Sequence, residues 1–90
     1  MKTIWKIQLN LVERQSIGLP EGWKFLSIQL QDTSICAWFL VDEYTDHIAL
    51  HTISMVGTGG RVSPGIGEYL GTVQKDKYVW HFFIVGGSRE

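Results

Sequence analysis

Residues 2–11 read KTIWKIQLNL, in which the odd positions are mostly apolar and most of the even positions are polar. Alternation with period two predicts a β-strand, because successive side chains of a strand point to opposite faces of the sheet. We expect Lys2 and Lys6 to face water and Trp5 and Ile7 to face the core. This first segment therefore predicts a strand with one buried and one exposed face.

Similar patterns predict five further strands. They cover residues 24–31, 35–41, 47–56, 68–74 and 78–85. Residues 35–41 are apolar at every position, which is typical of a central strand covered on both faces. The predicted core on the inner face consists of Trp5, Ile7, Leu26, Ile28, Phe39, Trp80 and Phe82.

The connections between these strands are short. Residues 13–22 contain Gly18 and Pro20 and are predicted to be irregular, with at most one short helix between Leu11 and Trp23. Short connections favour antiparallel neighbours, because parallel pairs need crossovers of about a dozen residues or more. We therefore expect one all-β domain over residues 1–90, a six-stranded antiparallel meander curled into a small barrel or half-barrel.

Composition excludes several classes of function. The chain has 90 residues and a formal net charge of −1, with no basic block of the kind that binds DNA or RNA. Cys36 is the only cysteine, so neither an intrachain disulfide nor a cysteine-based zinc site is expected. The apolar runs are far shorter than the ~20 residues that span a bilayer. We expect a cytoplasmic protein that needs no cofactor.

A glycine-rich stretch at residues 57–67, GTGGRVSPGIG, is the best candidate for a binding site. Consecutive glycines allow backbone N–H groups to converge into an anion-binding nest, and Arg61 adds a forked donor for a phosphate. The stretch lacks the strand-and-helix setting of a dinucleotide fingerprint and the Gly-Lys-Ser/Thr ending of a P-loop. The alternative is a flexible turn between two strands. The predicted nest consists of Gly57, Thr58, Gly59 and Gly60.

A second apolar face is predicted on the back of the curled sheet. Its members are Cys36, Trp38, Leu40, Ile53, Met55, His81, Phe83 and Val85. Exposed apolar patches of several hundred Å² usually mark an interface, and a symmetric homodimer is the commonest arrangement. We expect a homodimer or higher homo-oligomer, with the interface made by Trp38, Leu40, Ile53, Met55, His81 and Phe83. The alternative is that the segment from Leu11 to Trp23 covers this face.

Signals for catalysis are weak. His51 and His81 approach each other if their strands are neighbours, but a metal site normally needs three or four ligands, and no acidic residue has a clear place beside them. No Gly-x-Ser-x-Gly motif and no catalytic cysteine context occur. We expect the histidines to be structural or interfacial, and we predict no catalytic residues, no metal and no enzyme activity.

The sequence resembles a family of small accessory proteins found in tailed phages and prophage regions. In that family a histidine usually follows the Gly-Thr-Gly motif, and Gly60 stands at that position here. The motifs that carry the resemblance are Met1-Lys2-Thr3 with Trp5-Lys6, Pro20 with Gly22, Leu26-Ser27 with Gln29 and Gln31, Cys36 and Trp38 ahead of Leu40-Val41-Asp42, Gly57-Thr58-Gly59, Tyr69-Leu70-Gly71-Thr72 with Gln74, and His81 with Phe83. The resemblance implies a phage accessory gene that acts in the host-cell cytoplasm.

These features predict a non-enzymatic binding protein that sequesters a nucleotide immune signal of the host, such as a cyclic dinucleotide or an ADP-ribose derivative. In this hypothesis Arg61, Gly59 and Gly60 contact phosphates, and Trp23 or Tyr69 stacks on the base. One alternative is a protein–protein interaction module that docks on a host protein through its apolar face and inhibits it. Another is a structural accessory subunit.

Overall fold

The computed structural model describes residues 1–85, which form seven β-strands and no helix. The all-β class is confirmed, and the prediction of six strands is wrong by one. The strands are β1 (Lys2–Leu9), β2 (Arg14–Pro20), β3 (Lys24–Gln31), β4 (Ser34–Asp42), β5 (Ile48–Gly57), β6 (Glu68–Lys75) and β7 (Tyr78–Val85). The sequence predicts a frayed tail at residues 86–90, and these five residues lie outside the described part of the chain.

The strands form two antiparallel sheets rather than one curled meander. Sheet A has the order β1-β4-β3, and sheet B has the order β2-β5-β7-β6. The chain changes sheet after β1, after β2 and after β4, so most sequence neighbours are not hydrogen-bonded neighbours. β3 and β6 pack side by side at one edge, but among the described residues no ladder of hydrogen bonds closes a barrel there. The predicted barrel is therefore replaced by two sheets that share a core.

The strand missed by the sequence analysis is β2, which lies in the predicted irregular segment 13–22. Among residues 1–85 it pairs with β5 alone, which makes it an edge strand of sheet B. Ile17 and Leu19 carry its period-two pattern, and both are buried. Pro20 ends the strand opposite Ile48, at an edge position where the missing N–H of proline is tolerated. Gly18 and Pro20, which led to the prediction of an irregular segment, are thus compatible with a strand because β2 lies at the edge of the sheet.

The core lies between the two sheets. Of the residues predicted for it, Phe39 and Phe82 are completely buried, and Ile28 is 9% exposed. Trp5, Ile7 and Trp80 are partly buried and pack against its border. The other buried members are Leu9, Ile17, Leu19, Ile35, Ala37, Val41, Ile53, Met55, Leu70, Val73 and Ile84.

Leu26 does not belong to the core, contrary to the prediction, since its side chain is 42% exposed. The register of β3 against β4 shifts between Phe25 and Ser27, which marks a β-bulge at Leu26. An extra residue in one strand reverses the phase of the alternation. Phe25 before the bulge and Ile28 after it therefore both pack against the core, while Leu26 turns away from it.

The glycine-rich stretch forms a crossover, not a hairpin turn. β5 and β6 are each antiparallel to β7, which lies between them, so β5 and β6 run in the same direction. Residues 58–67, called here the crossover segment, must therefore pass over β7 to reach the far end of the sheet. All paired strands are antiparallel, as the sequence analysis expected, and this connection corrects only the predicted meander, in which β5 and β6 would have been neighbours.

Gly67 marks where the crossover segment meets β6. Its φ angle is +108°, which favours glycine, and a Cβ there would lie 2.1 Å from the carbonyl oxygen of Ile84. Real Cβ atoms do not come so close to a backbone oxygen. A side chain at residue 67 would therefore push the segment away from β7.

Candidate functional site

A cavity of about 800 Å³ lies on sheet B, against the crossover segment. The outer face of sheet B, which points away from sheet A, includes Thr52, Ser54 and Val56, because the intervening residues Ile53 and Met55 are buried in the core. These outward residues line the cavity together with residues 11–14 and with residues 60, 61 and 63–66 of the crossover segment. The cavity is thus bounded by the sheet, the turn between β1 and β2, and the crossover segment.

Two arginines give the cavity its positive charge. Arg14 begins β2 opposite Ser54, and Arg61 lies in the crossover segment. Glu13 also lines the cavity, and its carbonyl oxygen accepts a hydrogen bond of 3.0 Å from the amide of Met55, which fixes the turn to the edge of β5. Arginine presents a planar fork of donors that suits phosphate and carboxylate groups. The cavity therefore suits a ligand with an anionic group.

An aromatic ring at the end of the cavity comes from Trp80, which the sequence analysis assigned only to the core. Trp80 pairs with Gly57, and a Cβ on Gly57 would lie 3.1 Å from the Trp80 ring. The absence of a side chain at residue 57 lets the indole lie across the backbone of β5. Trp80 also lines the cavity. It therefore adds an aromatic side chain, from the core side of sheet B, to the lining of the cavity.

The glycines do not form the predicted anion-binding nest. The amide of Gly60 donates to the carbonyl oxygen of Gly57 at 2.9 Å, and the amide of Thr58 donates to Val79 at 3.2 Å. Gly59, with φ of +92°, occupies the position of this tight turn that requires a positive φ. Two of the amides are therefore already hydrogen-bonded, and the arginine side chains are the charged donors that the cavity offers to an anion.

The predicted ligand-binding residues are only partly brought together. Gly57, Gly60 and Arg61 line the cavity, whereas Thr58 and Gly59 belong to the same turn without lining it. The two predicted stacking residues, Trp23 and Tyr69, lie elsewhere.

Trp23 lies between β2 and β3, next to the end of β5 that is far from the cavity. Its ring contacts His51, with ring centroids 5.4 Å apart, and His51 lies six residues before Gly57, a distance of about 20 Å along a strand. Tyr69 packs on Phe83 of β7, one strand away from β5. Neither residue lines the cavity.

A chain of hydrogen bonds connects the crossover segment to the outer face of sheet B. His81 lies at its centre, with Nε2 2.8 Å from Oγ1 of Thr58 and Nδ1 2.8 Å from Oγ1 of Thr72. The hydroxyl of Tyr69 continues the chain to Thr72. Both ring nitrogens of His81 are thus satisfied by side-chain hydroxyls.

The predicted interface residues are divided among three places. Ile53 is completely buried and Met55 is 9% exposed. Both therefore belong to the core, and their assignment to the interface was wrong. His81 and Phe83 lie on the outer face of sheet B. Trp38 lies on the outer face of sheet A, in the opposite layer of the fold. The predicted second face is therefore not one continuous patch.

The outer face of sheet A keeps a smaller apolar patch, called here the sheet A patch. Leu40 pairs with Ile4 of β1, and Trp38 lies two residues earlier on the same face of β4. Ile4 is 58% exposed and the bulged Leu26 is 42% exposed. The prediction that both faces of β4 are covered is thus wrong on this side. Cys36, the next residue along this face, is buried between Gln8 and Gln29.

The histidines lie apart. His51 is buried on the core side of β5, and His81 pairs with Val56, five residues along β5, on the outer face. Within residues 1–85, no three His, Cys, Asp or Glu side chains are grouped as a metal site would need. No helix of that part of the chain has the length and apolar character of a membrane span.

The fold and cavity define a small all-β protein of two sheets, with a cavity bounded by a crossover connection. Over residues 1–90 the chain matches the family model described as a domain of unknown function, DUF7352, and it belongs to that family. No curated protein and no solved structure matches the sequence.

Proposed function

We propose that this protein is a non-enzymatic binding protein that takes a nucleotide into the cavity on sheet B. The observation that carries the proposal is that Arg14, Arg61 and Trp80 line one cavity of about 800 Å³. Pockets for small ligands are typically about 300–1,000 Å³ in volume and are mostly apolar with a few polar groups. A nucleotide matches this combination of charge and aromatic surface.

Each part of a nucleotide has a counterpart in the cavity. The guanidinium groups of Arg14 and Arg61 suit phosphate oxygens, because charge-assisted and bidentate hydrogen bonds are the strong ones. The indole of Trp80 offers a flat apolar surface for a base. The apolar side chains of Val56 and Ile66 supply the remaining walls.

The proposed role is sequestration of a nucleotide signal used in host immunity, by a protein of phage origin. Such a role needs no catalytic group, because one protein molecule removes one signal molecule by binding it. A cyclic dinucleotide and an ADP-ribose derivative both combine phosphates with a planar base. The resemblance of the sequence to phage accessory proteins supports this setting.

Isothermal titration calorimetry against a panel of AMP, ADP, ADP-ribose and cyclic di-AMP tests the proposal. We expect saturable binding of at least one member of the panel. The Arg61→Ala variant should bind it about ten- to a hundredfold more weakly, the range expected for hydrogen bonds to charged groups. Lys24→Ala is the matched control, since Lys24 is an exposed cation on sheet A and its loss should leave the affinity unchanged.

Two results would contradict the proposal. Absence of binding across the whole panel would exclude a nucleotide as the ligand. Equal affinity of the wild-type and Arg61→Ala proteins would exclude the cavity as the binding site. Circular dichroism of each variant confirms that the fold is retained.

A second candidate function is docking on a host protein through the sheet A patch. The observation that favours it is the exposure of Ile4 and Leu26 beside the half-buried Trp38 and Leu40, on a face that no other layer of the described chain covers. Exposed apolar patches on a small domain often mark an interface. The same patch would serve a homodimer, in which it would meet its own copy.

The Trp38→Asp variant separates the two candidates. A charge in the sheet A patch should abolish capture of a host protein, or dissociate a homodimer in sedimentation experiments, while nucleotide binding stays intact. Arg61→Ala should have the opposite effect. If Trp38→Asp changes neither host-protein capture nor the sedimentation coefficient, the docking function is excluded.

A further inference from the structure

Strand β1 leaves one long edge of sheet A open, called here the β1 edge. The strand is eight residues long and, within residues 1–85, pairs with β4 alone, in one register without a bulge. The opposite edge of the sheet, β3, packs beside β6. A long, regular edge strand is a template for pairing with another chain, because its outward N–H and C=O groups have no partner strand. The β1 edge is therefore suited to strand addition.

The backbone groups at the β1 edge belong to alternate residues. The amide of Glu43 donates to the carbonyl oxygen of Met1 at 3.4 Å, so these two residues form a hydrogen-bonded pair that continues the β1–β4 register. Hydrogen-bonded and non-hydrogen-bonded pairs alternate along an antiparallel ladder. The odd-numbered residues of β1 therefore bond to β4. The residues that direct their N–H and C=O groups outward are Lys2, Ile4, Lys6 and Gln8.

The central lysine of β1 does not shield this edge. Lysines on an edge strand commonly prevent pairing with another chain. Here Nζ of Lys6 lies 2.8 Å from Oε1 of Gln31 on β3. Because β4 lies between β1 and β3, the Lys6 side chain reaches across the sheet and away from the β1 edge. The backbone beside Ile4 and Lys6 is thus left open to another strand.

The β1 edge is complementary to a second copy of itself in one register. Directly opposite residues of an antiparallel pair share a face of the sheet, so the two-fold axis must pass through a residue and not between two residues. An axis at Trp5 places Ile4 opposite Lys6 of the second copy and Lys2 opposite Gln8 of the second copy. No cations are then directly opposed.

The neighbouring registers are unfavourable. An axis at Ile4 places Lys2 opposite Lys6 of the second copy, and an axis at Lys6 places the two Lys6 residues opposite each other. Like charges directly opposite one another destabilise a strand pair. The positions of the two lysines therefore select the register that is centred on Trp5.

We propose that this protein forms a homodimer through the β1 edge, with the two-fold axis at Trp5. The two A sheets, of three strands each, join into one continuous sheet. Ile4 and Lys6 exchange backbone hydrogen bonds across the axis, and the two Trp5 side chains form a cross-strand pair on the core-facing side. The pairing uses both β1 edges, and the β3 edges that remain pack beside β6, so sheet A does not grow beyond the dimer. The dimer is independent of nucleotide binding on sheet B.

Sedimentation equilibrium tests the proposal. We expect the wild-type protein to be a dimer. Lys6→Pro removes one outward amide, and the two-fold axis makes this loss occur twice, so the dissociation constant of the dimer should rise at least about tenfold. Proline is tolerated on an edge strand where the N–H faces outward, and circular dichroism checks that the variant folds. Lys6→Ala is the matched control, because it keeps the amide and should dimerise like the wild-type protein.

Oxidative cross-linking tests the register without a proline. Trp5→Cys brings two thiols together at the axis, in a non-hydrogen-bonded pair whose Cα atoms are about 4.5 Å apart, a separation that a disulfide can bridge. We expect a cross-linked dimer in non-reducing electrophoresis. Thr3→Cys is the control and should stay uncross-linked, since Thr3 lies opposite Ile7 of the second copy. The native Cys36 is buried and should not react.

Several outcomes would overturn the β1-edge dimer. One is a wild-type protein that sediments as a monomer at every concentration, and another is a folded Lys6→Pro variant with the wild-type dissociation constant. Cross-linking of Thr3→Cys instead of Trp5→Cys would show that the register is wrong. A dimer that Trp38→Asp dissociates, and that Lys6→Pro leaves intact, would place the contact on the sheet A patch.

Discussion

Oγ1 of Thr58 lies 2.8 Å from Nε2 of His81, so the start of the crossover segment is hydrogen-bonded to the outer face of sheet B. A neutral imidazole has one donor and one acceptor nitrogen, and the hydroxyls of Thr58 and Thr72 take the complementary roles. His81 therefore connects strand β6 to the segment that carries Arg61. This contact holds one wall of the proposed binding cavity in place.

Thr58→Val should loosen the crossover segment without unfolding the protein. The variant keeps the shape of the side chain but loses a hydrogen bond worth about 1 kcal/mol, so the segment should open roughly fivefold more often. Limited trypsin digestion, followed by mass spectrometry, measures cleavage after the exposed Arg61. Thr33→Val, in the turn between β3 and β4, is the control. An unchanged rate of cleavage after Arg61 would show that the contact does not restrain the segment.

Gly67→Ala should destabilise the fold strongly. Its Cβ would lie 2.1 Å from the carbonyl oxygen of Ile84, whereas a Cβ on Gly65, which also has a positive φ, would meet nothing within 4 Å. We expect a loss of about 1 kcal/mol for Gly65→Ala, from the backbone conformation alone, and at least about 2 kcal/mol more for Gly67→Ala. Urea denaturation measures both. Equal losses would contradict the close contact between residue 67 and β7.

Ile53→Ala should cost about 2–5 kcal/mol of unfolding free energy, because Ile53 is completely buried between the sheets. Ile48 lies on the same strand but is 57% exposed, so Ile48→Ala should change the stability by roughly 0.5 kcal/mol or less. Thermal or urea denaturation of the two variants provides the comparison. Similar losses of unfolding free energy in the two variants would contradict the place of Ile53 in the core.

Asp42 should contribute to stability at mildly acidic and neutral pH. The amide of Tyr44 donates to Oδ1 of Asp42 at 3.0 Å, and this hydrogen bond lowers the pKa of the carboxyl below its ordinary value of 3.8. The charged form is thus favoured by folding, so the contribution is present above about pH 4 and is lost as the pH falls through the lowered pKa. Asp42→Asn should reduce the acid-induced fall in melting temperature. A variant with the wild-type pH dependence would contradict this assignment.

Much of the fold follows from local patterns. The strand at residues 24–31 follows from alternation alone and occurs as predicted. Between the two strands predicted at residues 68–74 and 78–85, only residues 75–77 remain, which predicts the tight hairpin that the structure has there. The parts that failed depend on long-range context. Pro20 is compatible with a strand only because β2 is an edge, and the bulge at Leu26 is a feature of its pairing with β4.

Only part of the candidate site could be predicted, namely the residues whose chemical type and whose place in the sequence both indicate a site. Arg61 was found because it lies among glycines that mark a special backbone. Trp80 was assigned to the core, since period two along β7 places it on the same side as Phe82. Its place in the lining of the cavity depends on the missing side chain of Gly57, which a hydrophobic pattern does not reveal. Trp23 was favoured for its ring alone, and the topology puts it at the other end of β5.

The ¹H–¹⁵N NMR spectrum of the protein during titration with cyclic di-AMP tests the central claim most directly. The chain has four tryptophans, and each gives a separate indole N–H signal. We predict that the signal of Trp80 and the amides of the crossover segment shift together and saturably, while the indole signal of Trp38 on the sheet A patch stays in place. A spectrum that does not change, or one in which only Trp38 and its neighbours shift, would contradict a nucleotide site on sheet B.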